Sequence, residues 1–152
     1  MIKTIKLLLL LFIIASCNSK EKKTTKVEYP EKTSITTQFD KELKTSMDRG
    51  KSVYDDMCIT CHMANGKGVP KAFPPLADSD YLKNKQEESI IGIKNGMSGE
   101  MIVNGITYNS VMTPLGLTNE EVADVMNYIN NSWGNNYGKF ITAEEVTNII
   151  KK

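Results

Sequence analysis

The chain has 152 residues, of which 19 are lysine or arginine and 18 are aspartate or glutamate, so its formal charge is close to zero. This balance excludes the strongly basic surface on which nucleic-acid binding depends, and we expect no nucleic-acid partner. Three cysteines and a single histidine also restrict any metal site to very few soft ligands.

The first 16 residues have the layout of a secretory signal peptide. Lys3 and Lys6 precede an apolar run over residues 7–14, which is too short to span a bilayer comfortably. The sequence Ile-Ala-Ser-Cys that ends at Cys17 resembles the lipobox of bacterial lipoproteins, in which the cysteine is lipidated. We therefore expect a protein anchored in a bacterial envelope membrane through lipid on Cys17, on the periplasmic or other extracytoplasmic face. An ordinary exported protein with a free Cys17 is the alternative.

Residues 17–38 predict a flexible tether, because they are polar and lysine-rich and have no apolar periodicity. A chain that starts at Cys17 loses Lys3 and Lys6 and keeps 17 basic and 18 acidic side chains, for a formal charge of −1. Residues 39–152 then have the size of one small domain, which we expect to be monomeric.

A helix is predicted to run into the most informative motif of the chain. Apolar residues from Leu43 to Met57 recur at spacings of three and four. Cys58-Ile-Thr-Cys61-His62 follows, and C-x-x-C-H is the spacing at which two thiols bond a haem and the adjacent imidazole ligates its iron. The motif predicts one covalent haem c, with its iron bound by His62.

Two other uses of this motif are weaker. A structural zinc site wants four ligands, and beyond Cys58, Cys61 and His62 it would have to fall back on carboxylates. A thioredoxin-like dithiol expects its motif to follow a buried strand, whereas the residues before Cys58 predict a helix.

The remaining elements follow in order. Glycines and prolines over residues 63–80 predict a loop around the haem edge. Residues 87–95 predict a short helix with Ile90, Ile91 and Ile93 inward, and residues 101–108 predict a β-hairpin that turns at Asn104-Gly105. Capping boxes at Thr118 and Thr142 open two further helices.

A haem iron has a second axial position. Because His62, the only histidine, is predicted to occupy the first, a methionine is the natural second ligand for an electron carrier. Met97, Met101 and Met112 are the candidates outside helix faces and away from the motif. We choose Met112, because a loop stiffened by Pro114 can present its sulfur to the distal face.

Residues 47–148 resemble a class I monohaem cytochrome c. Gly50 and Tyr54 match the residues that let the first helix cross the last in that family, with Tyr128 on the other side. The segments 103–112 and 131–135 are similar to cytochrome domains attached to copper nitrite reductases and sugar dehydrogenases. Thr113 departs from the family, which usually has proline there.

The resemblance implies an all-α cytochrome c fold, with three core helices around one haem, a small hairpin and a short extra C-terminal helix. It implies that the Pro75 carbonyl accepts the second N–H of His62 and that Leu76 packs on the porphyrin.

We expect an electron carrier, not an enzyme, that docks redox proteins at the haem edge near Cys58, Cys61 and residues 63–75. The alternatives are a haem enzyme or gas sensor with an open sixth position, and a fixed subunit of an oxidase or dehydrogenase complex.

Overall fold

A computed structural model describes residues 32 to 152, which form a predominantly helical fold as predicted. Within this range no helix is long and apolar enough to cross a membrane. The elements in chain order are α1 (Lys32–Met57), α2 (Ile59–His62), α3 (Asp80–Asn84), α4 (Gln86–Asn95), β1 (Met101–Val103), β2 (Ile106–Tyr108), α5 (Asn119–Asn130) and α6 (Ala143–Ile150).

The first helix begins earlier than the sequence predicted. α1 starts at Lys32, so residues 32–38 of the predicted tether are helical. These residues have no apolar stripe that would predict a helix. Extending a helix that tertiary packing already stabilises costs much less free energy than nucleating a new one, so α1 can continue into this polar segment. The remainder of the predicted tether, the signal peptide and Cys17 lie outside the described residues.

The centre of the fold is the crossing of α1 over α5. Gly50 lies against α5 so closely that a Cβ there would be 1.9 Å from the Asp124 carbonyl oxygen. One turn further on, the Tyr54 ring packs against Tyr128 with ring centroids 5.4 Å apart. The predicted roles of these three residues at the crossing are therefore confirmed, and the missing side chain at Gly50 is what allows the backbones to touch.

Replacing Gly50 by alanine should destabilise the holoprotein by about 1–2 kcal/mol. Overpacking costs about 1–3 kcal/mol, and the better helix propensity of alanine recovers about 1 kcal/mol at most. Chemical denaturation followed by helical circular dichroism measures the loss. Ser52→Ala, at an exposed position of the same helix, is the matched control and should leave the denaturation midpoint nearly unchanged.

A polar network ties α1 and α5 to the segment that precedes α6. Asp124 accepts hydrogen bonds from Ser46 Oγ (2.6 Å) and from Arg49 Nε (2.6 Å). Asn127 donates to Ser46 Oγ (2.9 Å) and pairs with both backbone groups of Ile141, each at 2.8 Å. Because Ser46, Asp124 and Asn127 are buried, these bonds satisfy groups that water cannot reach.

Caps and turns formed largely where the sequence placed them. Thr118 and Glu121 make the predicted reciprocal capping box of α5, and Thr142 Oγ1 accepts from the Glu145 amide at the start of α6. In α4 one prediction was wrong, since Ile90 is buried but Ile91 is 39 % exposed.

The hairpin is antiparallel, with Met101 opposite Tyr108 and Val103 opposite Ile106. Asn104 and Gly105 both have positive φ, which is the conformation of the two-residue turn that suits the twist of a hairpin. Asn104 also exchanges hydrogen bonds with Asp80 (2.7 and 2.9 Å). The hairpin is thereby fixed to the start of α3 beside the cavity described next.

Candidate haem site

The cysteine motif begins at Cys58, the one residue between α1 and α2, and its other four residues form α2. The Cys58 amide donates to the Tyr54 carbonyl, and the His62 amide donates to the Cys58 carbonyl, both at 2.9 Å. Cys58 and Cys61 are half-buried free thiols on the wall of one cavity, with His62 beside them. Burial, aided by the neighbouring Cys61, raises the pKa of the Cys58 thiol to about 11. Before attachment this thiol is therefore protonated and unlike the acidic thiol of a dithiol redox site.

The orientation of His62 is set by a different proline from the one predicted. His62 Nδ1 lies 2.9 Å from the carbonyl oxygen of Pro74, so the prediction that Pro75 accepts this bond was wrong. Burial lowers the pKa of His62, and the Pro74 bond only partly opposes it. The imidazole is thus neutral at neutral pH, and with Nδ1–H donated to Pro74 the lone pair is on Nε2, the form that ligates iron.

The turn of residues 66–74 explains why Pro74 takes this role. A Cβ on Gly68 would lie 2.3 Å from the Phe73 carbonyl oxygen and 2.6 Å from that of Pro74. The chain therefore folds back over Gly68, and this close approach carries the Pro74 carbonyl to His62. Pro75 and Leu76 follow and line the cavity, and the contact of Leu76 with the haem stays a prediction.

Two residues near the end of α5 hold this loop in place. The Trp133 indole N–H donates to the Ala64 carbonyl (3.0 Å), and its ring fills the space where Gly66 has no side chain. Asn135 donates to the Leu76 carbonyl (2.9 Å) and accepts from the Asp78 amide (2.9 Å). Sequence reasoning gave Asn135 no role, because these two partners lie nearly 60 residues away and no local pattern reveals them.

Tyr54 holds the residue that follows the motif. Its hydroxyl donates to the Met63 carbonyl at 2.7 Å, directly after the motif. Burial raises the pKa of Tyr54, so the hydroxyl keeps the proton that it donates.

The cavity has a predominantly apolar wall and an empty volume of about 1220 Å³ including its open mouth. Phe73, Leu82, Ile93, Val103, Val125 and Ile129 are among its apolar lining residues. Two thiols at the haem-attachment spacing, a neutral imidazole and an apolar wall are the donor set and the surroundings that haem c requires. The residues present therefore fit this group.

All three candidate methionines line the same cavity. Met97 and Met112 are joined by two backbone hydrogen bonds, 2.8 Å from the Met97 amide and 2.9 Å from the Met112 amide. The sulfur of Met97 is packed against Gly92 of α4. The loop of Met112 is also attached to the loop beside His62, because the Ser110 hydroxyl donates to the Ala72 carbonyl.

The alternatives left open by the sequence find little support here. Among residues 32–152 no three His, Cys, Asp or Glu side chains come together as a metal site, whereas zinc would need four ligands. The motif follows a helix instead of a strand, unlike a thioredoxin-type dithiol. Arg49 is paired with Asp124 and does not line the cavity, so it is not placed to act on a ligand at the iron.

Comparison with known proteins identifies the family. The family model for cytochrome c matches residues 47–133. Cytochrome c-552 of Thermus thermophilus is 38% identical over 112 residues, which cover 68% of this chain and 85% of that protein. The chain belongs to the cytochrome c family. Its cofactor is therefore covalently attached haem c with iron, and its role is electron transfer.

This cytochrome c is also similar to subunits of larger enzymes. The cytochrome c subunit of an alcohol dehydrogenase (quinone) from Gluconacetobacter polyoxogenes is 30% identical over 103 residues, 66% of this chain and 22% of that protein. The gluconate 2-dehydrogenase cytochrome c subunit of Pantoea cypripedii is 32% identical over 107 residues, 67% of this chain and 24% of that protein. The predicted likeness to dehydrogenase-linked domains is thus confirmed, over less than a quarter of each of these subunits.

Proposed function

We propose that this cytochrome is a lipid-anchored carrier of single electrons at the extracytoplasmic face of a bacterial membrane, with its iron ligated by His62 and Met112. The observation that carries the ligand assignment is the fastening of the Met112 loop at the cavity that His62 lines. The haem, when bound, supplies the interconversion of ferrous and ferric iron. The protein supplies two permanent ligands and a dry surrounding, which keep the coordination unchanged during transfer.

Each side chain has one task in this proposal. Cys58 and Cys61 fix the haem covalently, and His62 is held by the Pro74 carbonyl in the tautomer that leaves Nε2 for the iron. Met112 supplies a soft neutral thioether, which favours the ferrous state and raises the potential. Leu76 and Pro75 exclude water from the wall beside His62.

Redox partners are proposed to approach at the rim of the cavity. Met57 and Val111 line the cavity and are 50 % and 68 % exposed, and the neighbouring loop presents Lys67 and Lys71 to solvent. An exposed apolar rim beside a few charges suits the small, transient contacts of electron-transfer proteins. The similarity to dehydrogenase subunits supports a redox protein as the partner, either exchanged freely or held as part of a complex.

Carbon monoxide added to the reduced protein tests the electron-carrier proposal against the sensor or haem enzyme. A permanently occupied sixth position predicts that the visible spectrum changes slowly or not at all at millimolar gas. An immediate and complete spectral change would show an open position and reject the carrier. Reduced Met112→Ala protein is the positive control, because its open site should bind the gas at once.

Replacing Cys17 by alanine tests the anchor. We expect wild-type protein expressed in a bacterial host to partition into the detergent phase and to be labelled by radioactive palmitate, and the Cys17→Ala protein to do neither. Equal partitioning of the two proteins would reject lipidation at Cys17. Cys61→Ala, which keeps Cys17 but disturbs haem attachment, is the control for indirect effects of misfolding on lipidation.

A further inference from the structure

The turn that ends α4 lies directly against the loop that carries Met112. Gly96, the residue after the helix, has φ +81° and ψ 169°, a conformation essentially restricted to glycine. A Cβ on Gly96 would lie 2.7 Å from the Met112 carbonyl oxygen and 2.8 Å from Pro114 Cδ. Only a glycine both adopts this backbone conformation and leaves the Met112 loop where it is.

The next residue makes the connection. Met97 exchanges backbone hydrogen bonds with Met112 through both its N–H and its C=O, at 2.8 and 2.9 Å. The Met97 side chain also lines the cavity, and its sulfur lies against Gly92 of α4, where an added Cβ would be 2.3 Å from it. The Met97 sulfur thus packs against α4, and the Met97 backbone forms hydrogen bonds with Met112.

We propose that Gly96, together with the backbone of Met97, is a positioning element that holds the Met112 sulfur in place as sixth ligand. The inference rests on the proposed ligation by Met112. A ligand loop fixed in advance by a rigid helix end loses little conformational freedom when its sulfur binds iron, and holding a ligand within fractions of an ångström is what such supporting residues contribute. The Met112 loop is held by the backbone bonds of Met112 to Met97 and by the bond of Ser110 to Ala72. Weakening the first contact therefore leaves the loop attached but shifts the position of Met112.

Gly96→Ala tests this in the holoprotein. The added methyl group must push the Met112 carbonyl away, which weakens the bond from sulfur to iron. We expect the sulfur-to-iron charge-transfer band of the ferric protein to lose intensity and the potential to fall. Exogenous imidazole, which competes with Met112 for the iron, should bind at least about tenfold more tightly, equal to about 1.4 kcal/mol.

Gly99→Ala is the matched control. Gly99 also has positive φ, at +92°, but an added Cβ there meets no atom within 4 Å. It imposes the backbone strain without the contact, and imidazole affinity should stay within about twofold of wild type. An equal effect of the two substitutions would overturn the proposal, as would wild-type behaviour of Gly96→Ala.

Two further variants separate this inference from the ligand assignment. Met97→Leu keeps the backbone bridge and should keep the band, whereas loss of the band would make Met97 the ligand and refute the division of roles. Persistence of the band in Met112→Ala would refute the ligation by Met112 itself. If Gly96→Ala fails to fold, amide hydrogen exchange of the wild-type holoprotein tests the proposal instead. The Met97 and Met112 amides should both be protected and exchange faster when imidazole is bound, and rapid exchange without imidazole would overturn the proposal.

Discussion

Replacing Met112 by alanine is expected to abolish the sulfur-to-iron charge-transfer band and to lower the reduction potential by on the order of 0.1 V or more, within the range of roughly 0.8 V over which axial ligands set haem potentials. The direction follows from the loss of a soft thioether, which stabilises ferrous iron more than ferric iron. Absorption spectra of the ferric protein and a potentiometric titration measure the two effects. An unchanged spectrum and potential would show that Met112 is not a ligand.

Met101→Leu and Met97→Leu are the matched controls for this result. Both methionines line the same cavity, and leucine keeps the volume and apolar character of the side chain. We expect both variants to keep the band and a potential close to that of the wild type. If either one loses the band while Met112→Ala keeps it, the ligand is that methionine instead.

Replacing Asn127 by alanine is expected to destabilise the holoprotein by about 3 kcal/mol while its spectrum and potential stay unchanged. Asn127 is fully buried, and its amide satisfies both backbone groups of Ile141. Its removal leaves those two groups without partners in a site closed to water, and each such group costs about 1–3 kcal/mol. At a urea m-value of about 1–3 kcal/mol/M, the denaturation midpoint should fall by about 1 to 3 M.

Asn148→Ala is the control for this substitution. Asn148 lies on α6 and is exposed, so its change should stay within about 0.5 kcal/mol. A Met112 charge-transfer band that disappears in folded Asn127→Ala protein would contradict the separation of this network from the haem cavity, since Asn127 does not line the cavity.

The sequence predicted best the features that depend on neighbouring residues. The C-x-x-C-H motif, the Asn104-Gly105 turn and the Thr118 capping box each depend on residues within five positions of one another, so their geometry is written in the local sequence. Thr118 and Thr142 also predicted the starts of α5 and α6, because each hydroxyl accepts a hydrogen bond from the amide three residues later.

What could not be predicted depends on contacts between distant segments. Either of two consecutive prolines could accept the hydrogen bond from His62. The turn at Gly68 brings the Pro74 carbonyl, and not that of Pro75, to the imidazole. The bonds of Asp124 to Ser46 and Arg49 connect residues more than 70 positions apart. The need for glycine at position 96 depends on the close approach of the Met112 loop, which the local sequence does not indicate. A single sequence identifies such residues as polar or small and leaves their partners undetermined.

The measurement that tests the central claim most directly is the proton NMR spectrum of the reduced protein with carbon-13 in its methionine methyl groups. A methyl group on a sulfur bound to haem iron lies over the porphyrin ring, whose ring current shifts its resonance far upfield. We predict one such resonance in the wild type and in Met97→Leu and Met101→Leu, and its absence in Met112→Leu. Its persistence in Met112→Leu, or the lack of any upfield methionine methyl in the wild type, would contradict a carrier ligated by His62 and Met112.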